Sequence, residues 1–339
     1  MDRRGFLVRS GLALAASGVS WPLAEADAWA SESQAFARRG WDDIRKEFRL
    51  KPGYLHFGLL YLTSHPRTVR NAITSYRNAL DSNPVHYLQE HGSQAEARVL
   101  AAAASYLGAG TGDIALTDST TMGLGLLYNG IDLRAGQEAL TTEHDFFATY
   151  EALGLKAERS GATVRRVRLY TQPENASEDA MVDALLGAVS SATRVVALTW
   201  VHSSSGVKLP VRRIADGLAE INSSRGEDDR VLLCVDGVHG IGVENVSMPA
   251  LGCDFFVAGC HKWLFGPRGT GFVWGDPTAW PHAGPTIPSF GGGSYGAANT
   301  PGGFHSFEHR WALSEAFRFH QSIGQAKVEA LLQLPGSGT

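Results

Sequence analysis

The chain has 339 residues, of which 44% are hydrophobic and 19% charged, and a formal net charge of −4 at pH 7. That length supports a large core and two packed lobes, and the composition is that of a soluble globular chain, not a disordered one. The acidic balance and the absence of a Lys/Arg cluster argue against a nucleic-acid partner, and three cysteines without CxxC spacing argue against a zinc or dithiol motif.

The first thirty residues read as an export signal. Asp2-Arg3-Arg4-Gly5-Phe6-Leu7 precedes a weakly apolar stretch from Leu12 to Val19, then small-residue sites at Ala24-Glu25-Ala26 and Ala28-Trp29-Ala30. The adjacent arginines followed by Phe-Leu resemble the twin-arginine type. The expectation is a protein exported to the periplasm by the twin-arginine machinery. The apolar run is too short for a stable membrane anchor. The competing reading is a basic helical N-terminus that stays on the protein. Residues 31–70 then form a lead-in segment.

Helices are predicted over Arg67–Leu80 and over the alanine-rich Ala95–Leu107. Apolar or β-branched runs at 138–142, 164–169, 195–200, 231–236, 255–258 and 270–274 read as strands. Between them, Ser177 can cap a helix that has Glu178 and Asp179 in its first turn, and Ile214, Leu218 and Ile221 keep helical spacing. This alternation implies an α/β fold with a mainly parallel sheet flanked by helices. The Pro-Gly-rich stretch from Pro281 to Gly303 reads as a long functional loop. Cys234 and Cys253 fall in or beside apolar runs and read as buried bystanders.

In such sheets ligands gather at the carboxyl ends of strands. Asp236 ends one apolar run in Val-Asp-Gly-Val-His, and Lys262 follows the next in Gly-Cys-His-Lys-Trp-Leu-Phe-Gly-Pro-Arg-Gly-Thr-Gly. A lysine amine can form a Schiff base with an aldehyde cofactor, and a carboxylate can hold a pyridinium nitrogen protonated. Together they describe a site for pyridoxal 5′-phosphate (PLP). Upstream, Leu116 to Gly125 leads from a short apolar run through Ser119-Thr120-Thr121 into a helix, whose amino end can cup a phosphate or simply be capped. Each residue also has an ordinary reading. Lys262 could snorkel from an apolar patch, Asp236 could cap a helix, His239 and His144 could be core histidines, and Phe146 could be core packing.

The segments 235–242, 250–256 and 259–271 resemble the class V, fold-type I aminotransferase superfamily, with the Cys-His-Lys-Trp-Leu wording closest to its isopenicillin N epimerase-like branch. The resemblance runs from about Tyr54 to the end. It implies the large domain of a PLP-dependent transferase over 71–310, with 311–339 the start of a truncated C-terminal small domain. It implies Lys262 as the Schiff-base lysine, Asp236 as the pyridinium partner and His239 near the phenolic oxygen. Thr120, Thr121 and His261 would hold the phosphate, Phe146 (with His144 close behind) would cover the ring, and Ser203 would lie near the phenolic oxygen. It also implies a homodimer and an amino-acid substrate. Two departures stand out. Where the family carries a Gly-Thr phosphate contact, this chain has Phe307-Glu308-His309-Arg310-Trp311. The sequence also stops at 334–339, soon after the helix that in the family leads into the small domain with its substrate-binding arginine; the two readings are a truncated chain and a substrate held differently. Arg310 is a candidate carboxylate partner by residue type, an ordinary salt bridge being the alternative. Epimerisation, transamination and C–S lyase or desulfurase chemistry share these residues, and a non-catalytic remnant of the fold is the reading outside enzymology. A desulfurase needs a late mobile cysteine, and none follows Cys260 in this sequence, the alternative being a truncation that removed one.

Overall fold

A computed structural model describes residues 40–333. The twin-arginine-type segment falls outside the described residues. The apolar runs become β1 (Ile114–Thr117), β2 (Glu138–Thr142), β3 (Thr163–Val167), β4 (Thr193–Thr199), β5 (Leu232–Asp236), β6 (Phe255–Gly259) and β7 (Gly271–Gly275). They form one seven-stranded sheet in the order β1-β7-β6-β5-β4-β2-β3. Pairing is parallel from β6 through β5, β4 and β2 to β3, while β7 runs antiparallel to both β6 and β1. The reversal has a local cause. The chain returns from β6 to β7 through a tight loop, and a parallel connection would need a longer crossover, usually with a helix.

The helices are α1 (Trp41–Arg45), α2 (Arg67–Ser82), α3 (Pro84–Leu107), α4 (Thr120–Gly130), α5 (Phe147–Ser160), α6 (Glu178–Ala188), α7 (Val211–Asn222), α8 (Met248–Leu251), α9 (Tyr295–Asn299), α10 (Phe307–Ile323) and α11 (Gln325–Leu332). The alanine-rich helix begins earlier than its composition suggests. Pro84 occupies its first turn, where a fixed φ is favourable and the missing N–H is no loss. Ser177 does precede α6, but its hydroxyl makes no capping bond; Glu178 and Asp179 still complement the helix dipole.

Consecutive strand residues feed two cores. On one face Leu140, Val196, Leu198, Leu233, Val235 and Phe256 meet residues of α2, α3, α6, α7 and α10. On the other, Ala139, Val195, Ala197, Cys234, Phe255 and Val257 meet α4 and α5. That period of two is what a sheet buried on both sides requires. The loop from Pro281 to Gly303 contains α9, whose following Thr300 accepts a hydrogen bond from the Leu116 amide at 3.0 Å. The loop therefore covers the β1 edge of the sheet. Glycine is obligatory at 237, because a Cβ there would lie 1.8 Å from the Phe256 ring.

α10 packs against α2 and α3, buries Leu313 and Phe317 in the first core, and sets the buried Trp311 edge-on against Tyr76 of α2. It also carries His320 into the interior, where Nδ1 lies 3.0 Å from the Tyr106 hydroxyl and Nε2 lies 2.9 Å from the Gly242 carbonyl. Burial pushes this imidazole down to about 4, with the Gly242 carbonyl opposing. Between that value and the unfolded value near 6.5, the unfolded chain binds the extra proton, so stability falls as pH drops through this window. His320→Gln should lose one proton's worth of that slope, about 1.4 kcal/mol per pH unit at most. Urea denaturation from about pH 7 to about pH 4 reads it, and identical slopes in both proteins would refute the assignment.

Candidate active site

β5 and β6 are parallel neighbours, so the residues that follow them emerge side by side at one end of the sheet. Beyond β5 the chain turns at once, with Gly240 and Ile241 amides donating to the Gly237 carbonyl. Beyond β6 it closes a turn around Lys262, in which Phe265 N–H donates to Lys262 O at 3.0 Å and Gly266 N–H to Cys260 O at 2.8 Å. Phe265 sits at φ 57°, a left-handed conformation costing roughly 1–2 kcal/mol for a non-glycine residue. Its ring is fixed edge-on against Phe48 at 5.1 Å and Phe319 at 6.1 Å, which offsets that cost.

Asp236 is 1% exposed. Its Oδ1 accepts the Val238 amide at 3.1 Å, whereas its Oδ2 is buried without a hydrogen-bond partner. Burial pushes the carboxyl up to about 7; the Val238 amide and the neighbouring Lys262 pull it down, and Asp145 pushes it further up. Burial lowers the Lys262 amine from its usual value, with Asp236 opposing. Each group thus lies in the other's field. Lys262 Nζ is 2.8 Å from His239 Nε2, and the Trp263 indole N–H donates to His239 Nδ1 at 3.2 Å. The structure therefore brings Asp236, His239 and Lys262 to one place.

The start of α4 lies alongside. Ser119 Oγ accepts the Met122 amide at 3.1 Å, while the first amides of the helix have no carbonyl one turn back. Thr120 is buried, and its Oγ1 accepts the Gly259 amide at 2.8 Å, tying this helix start to the end of β6. Thr121 is exposed. A Cβ on Gly259 would stand 3.0 Å from Thr120 Oγ1 and 3.1 Å from the His261 ring, so His261 closes on the same helix start.

The remaining candidates are less tightly gathered. Phe146 is 42% exposed and packs on Phe147 at 4.6 Å, directly before α5. His144 is stacked on Tyr170 at 3.8 Å and accepts the Leu169 and Tyr170 amides on Nε2. Ser203 is an exposed residue in the turn before Gly206. Arg310 is 7% exposed and lies 3.6 Å from Asp118 and 3.9 Å from Glu96, so its charge already has internal counter-ions.

Two residues gained no role from the sequence. Asp145 is buried and accepts from Thr141 Oγ1, the Thr142 amide and the Thr199 amide, each at 2.6 Å, which binds the ends of β2 and β4 together. An Asp soon after a Thr-Thr strand end was a usable signal for such a bracket. Trp263 left no sequence signal as a donor, because its partner is 24 residues away. Among the described residues no cluster is placed to hold a metal ion, and no helix is long and apolar enough to cross a membrane.

With this geometry, residues 62–333 match the model of the family Aminotransferase class-V, and the chain belongs to that family. It is 29% identical over 235 residues to isopenicillin N epimerase of Amycolatopsis lactamdurans, covering 69% of this chain and 56% of that protein. It is 30% identical over 246 residues to a probable cysteine desulfurase of Xylella fastidiosa, with the same coverage of 69% and 56%. The chain thus spans little more than half the length of these curated relatives. In fold it is similar to a C-DES variant solved with glycine covalently linked to its PLP cofactor (TM-score 0.77, 22% identity, 85% of this chain and 77% of that one).

The raised Asp236 carboxyl makes a prediction for the ligand-free protein. Between the unfolded value of 3.8 and the folded value of about 7, the folded state holds the extra proton. Stability contributed by this group therefore falls as pH rises through that window, by up to roughly 4 kcal/mol. Asp236→Asn cannot ionise and should gain on the wild type across it. Urea melts at about pH 5 and about pH 8 measure the difference, and a gap that does not widen with pH would contradict the burial argument.

Proposed function

We propose that the protein is a PLP-dependent enzyme acting on an amino acid or amino-acid derivative through Lys262, with epimerase-like or aminotransferase-like chemistry. The carrying observation is the buried, unpartnered Asp236 Oδ2 in the field of the Lys262 amine. An acceptor left unsatisfied in the interior costs about 1–3 kcal/mol, and a protonated ring nitrogen is a donor that fits it. The residues present therefore fit the cofactor. Bound PLP supplies an electron-withdrawing ring that stabilises negative charge at a substrate α-carbon.

The chain's own residues divide the work. Lys262 provides the nucleophilic amine, which burial keeps below its ordinary basicity, and afterwards carries the substrate α-proton. Asp236 would accept the ring N–H and hold its proton in place. The amino end of α4, with Thr120 and Thr121, would hold the phosphate through backbone amides and hydroxyls, together with His261. His239 and Ser203 would be the residues toward the phenolic oxygen, and Phe146 would offer its exposed ring as a cover. The face and atom to which Lys262 returns the proton separate epimerisation from transamination.

C–S lyase chemistry is the second reading, supported by the likeness to a probable cysteine desulfurase. A cysteine-borne sulfur relay finds no support in the described residues. Cys234, Cys253 and Cys260 are all buried, and burial pushes their thiols up, away from the reactive thiolate. We further propose a homodimer, because Tyr54, Leu55, Phe57, Tyr61, Phe290 and Phe304 are exposed apolar side chains. Export to the periplasm by the twin-arginine machinery is proposed on Arg3-Arg4-Gly5-Phe6-Leu7 alone.

The full chain mixed with PLP should develop a visible absorbance band that Lys262→Ala abolishes. Asp236→Asn should weaken PLP uptake roughly tenfold or more, as the loss of a charge-assisted hydrogen bond implies. A wild type that stays colourless would favour a non-catalytic remnant of the fold. In a coloured protein, α-proton exchange, keto-acid release and enantiomer ratio over a panel of amino acids assign the reaction.

A further inference from the structure

One hydrogen bond of fixed direction, from Trp263 to His239, orders the protons around Lys262. An indole N–H can only donate, so the 3.2 Å contact from Trp263 Nε1 requires a lone pair on His239 Nδ1. His239 is neutral, its imidazole lowered to about 4 chiefly by burial. A neutral ring with a bare Nδ1 carries its proton on Nε2. That Nε2–H points at Lys262 Nζ over 2.8 Å, and an ammonium has no lone pair to accept it. The amine must therefore be neutral.

We propose that Trp263 is a positioning residue: by donating to Nδ1 it locks His239 in the Nε2–H tautomer and so keeps Lys262 an uncharged, nucleophilic amine. The value of this for catalysis rests on the PLP reading above, whereas the proton arrangement does not. The charged groups around the triad act in both directions. Asp236, at the end of β5, favours the ammonium. Asp145 strengthens the negative field at Asp236, while Arg268 acts on His261 from the loop after β6. Without the indole donor, His239 is free to adopt the Nδ1–H tautomer, and its Nε2 then accepts from a charged Lys262. Asp236 favours that arrangement.

The test uses Trp263→Phe, which keeps an aromatic ring and removes the N–H. In the cofactor-free full chain, nitrogen-15 shifts of the His239 ring report the tautomer. Reductive alkylation with acetaldehyde and cyanoborohydride, quantified at the Lys262 peptide by mass spectrometry, reports the neutral amine as pH is varied. The wild type should show Nε2–H, and Trp263→Phe should shift toward Nδ1–H. The variant should also slow alkylation at neutral pH roughly five- to tenfold, the population change that one neutral hydrogen bond controls. In a His239→Gln background the same substitution should have no further effect on alkylation. An unchanged tautomer in Trp263→Phe overturns the proposal, as does an equal loss with His239 already replaced, which marks a packing effect. A melting curve confirms that each variant is folded. Failure here with normal PLP uptake leaves the functional reading standing. A locked tautomer in a protein that never takes up PLP leaves the proposal standing without it.

Discussion

A carboxylate with one satisfied oxygen and one bare oxygen, sealed at the end of a central strand, is the constraint around which the carboxyl end of the sheet is arranged. Asp236 has the Val238 amide for one oxygen and nothing for the other. Ionisation there is opposed by burial and by a second buried acid, Asp145. The two acids differ in kind. Asp145 takes three short hydrogen bonds and is spent on joining β2 to β4. Asp236 retains an unused acceptor beside a lysine, and unused acceptors in an interior are costly enough that a structure rarely keeps them without a partner to receive.

The fold concentrates strain and close approach on the same spot. Gly237, immediately after Asp236, has no room for a side chain beside Phe256. Phe265, three residues after Lys262, occupies a left-handed conformation held by rings from the lead-in segment and α10. α10 thus supports the lysine turn from behind through Phe319, while His320 on the same helix binds Gly242 in the turn after β5. Both turns that present chemistry rest on one buried helix, so core packing and site geometry are coupled here.

The strand positions were legible because apolar runs bounded by turn residues carry a strong signal, and most boundaries fall within two residues of the pattern. Strand direction was not legible, since the run at β7 reads the same either way and only the short return from β6 reverses it. Lys262 and Asp236 were legible for a different reason: ionisable residues at the ends of apolar strands are rare enough to stand out. The donors that set their protonation were not. Trp263 reads as one more aromatic beside Leu264 and Phe265, and its N–H acquires meaning only when two turns fold against each other. Ser177 shows the opposite failure, a correct cap position without the capping bond, because local pattern specifies where a helix starts and not which rotamer its first hydroxyl adopts.

Arg310 illustrates how a residue type can suggest one role and its surroundings another. The guanidinium is buried on α10 and pairs with Asp118, the residue directly before the Ser119 cap of α4. An uncompensated carboxylate at that position would repel any anion received by the amino end of the helix, since at about 4 Å two like charges near a protein surface disfavour each other by roughly 4 kcal/mol. Pairing with Arg310 removes most of that repulsion, and Glu96 on α3 keeps the arginine itself from being stranded. Arg310 is thus tied to the anion end of the site by making Asp118 tolerable there. A carboxylate-bearing substrate would have to compete with two resident acids for its guanidinium.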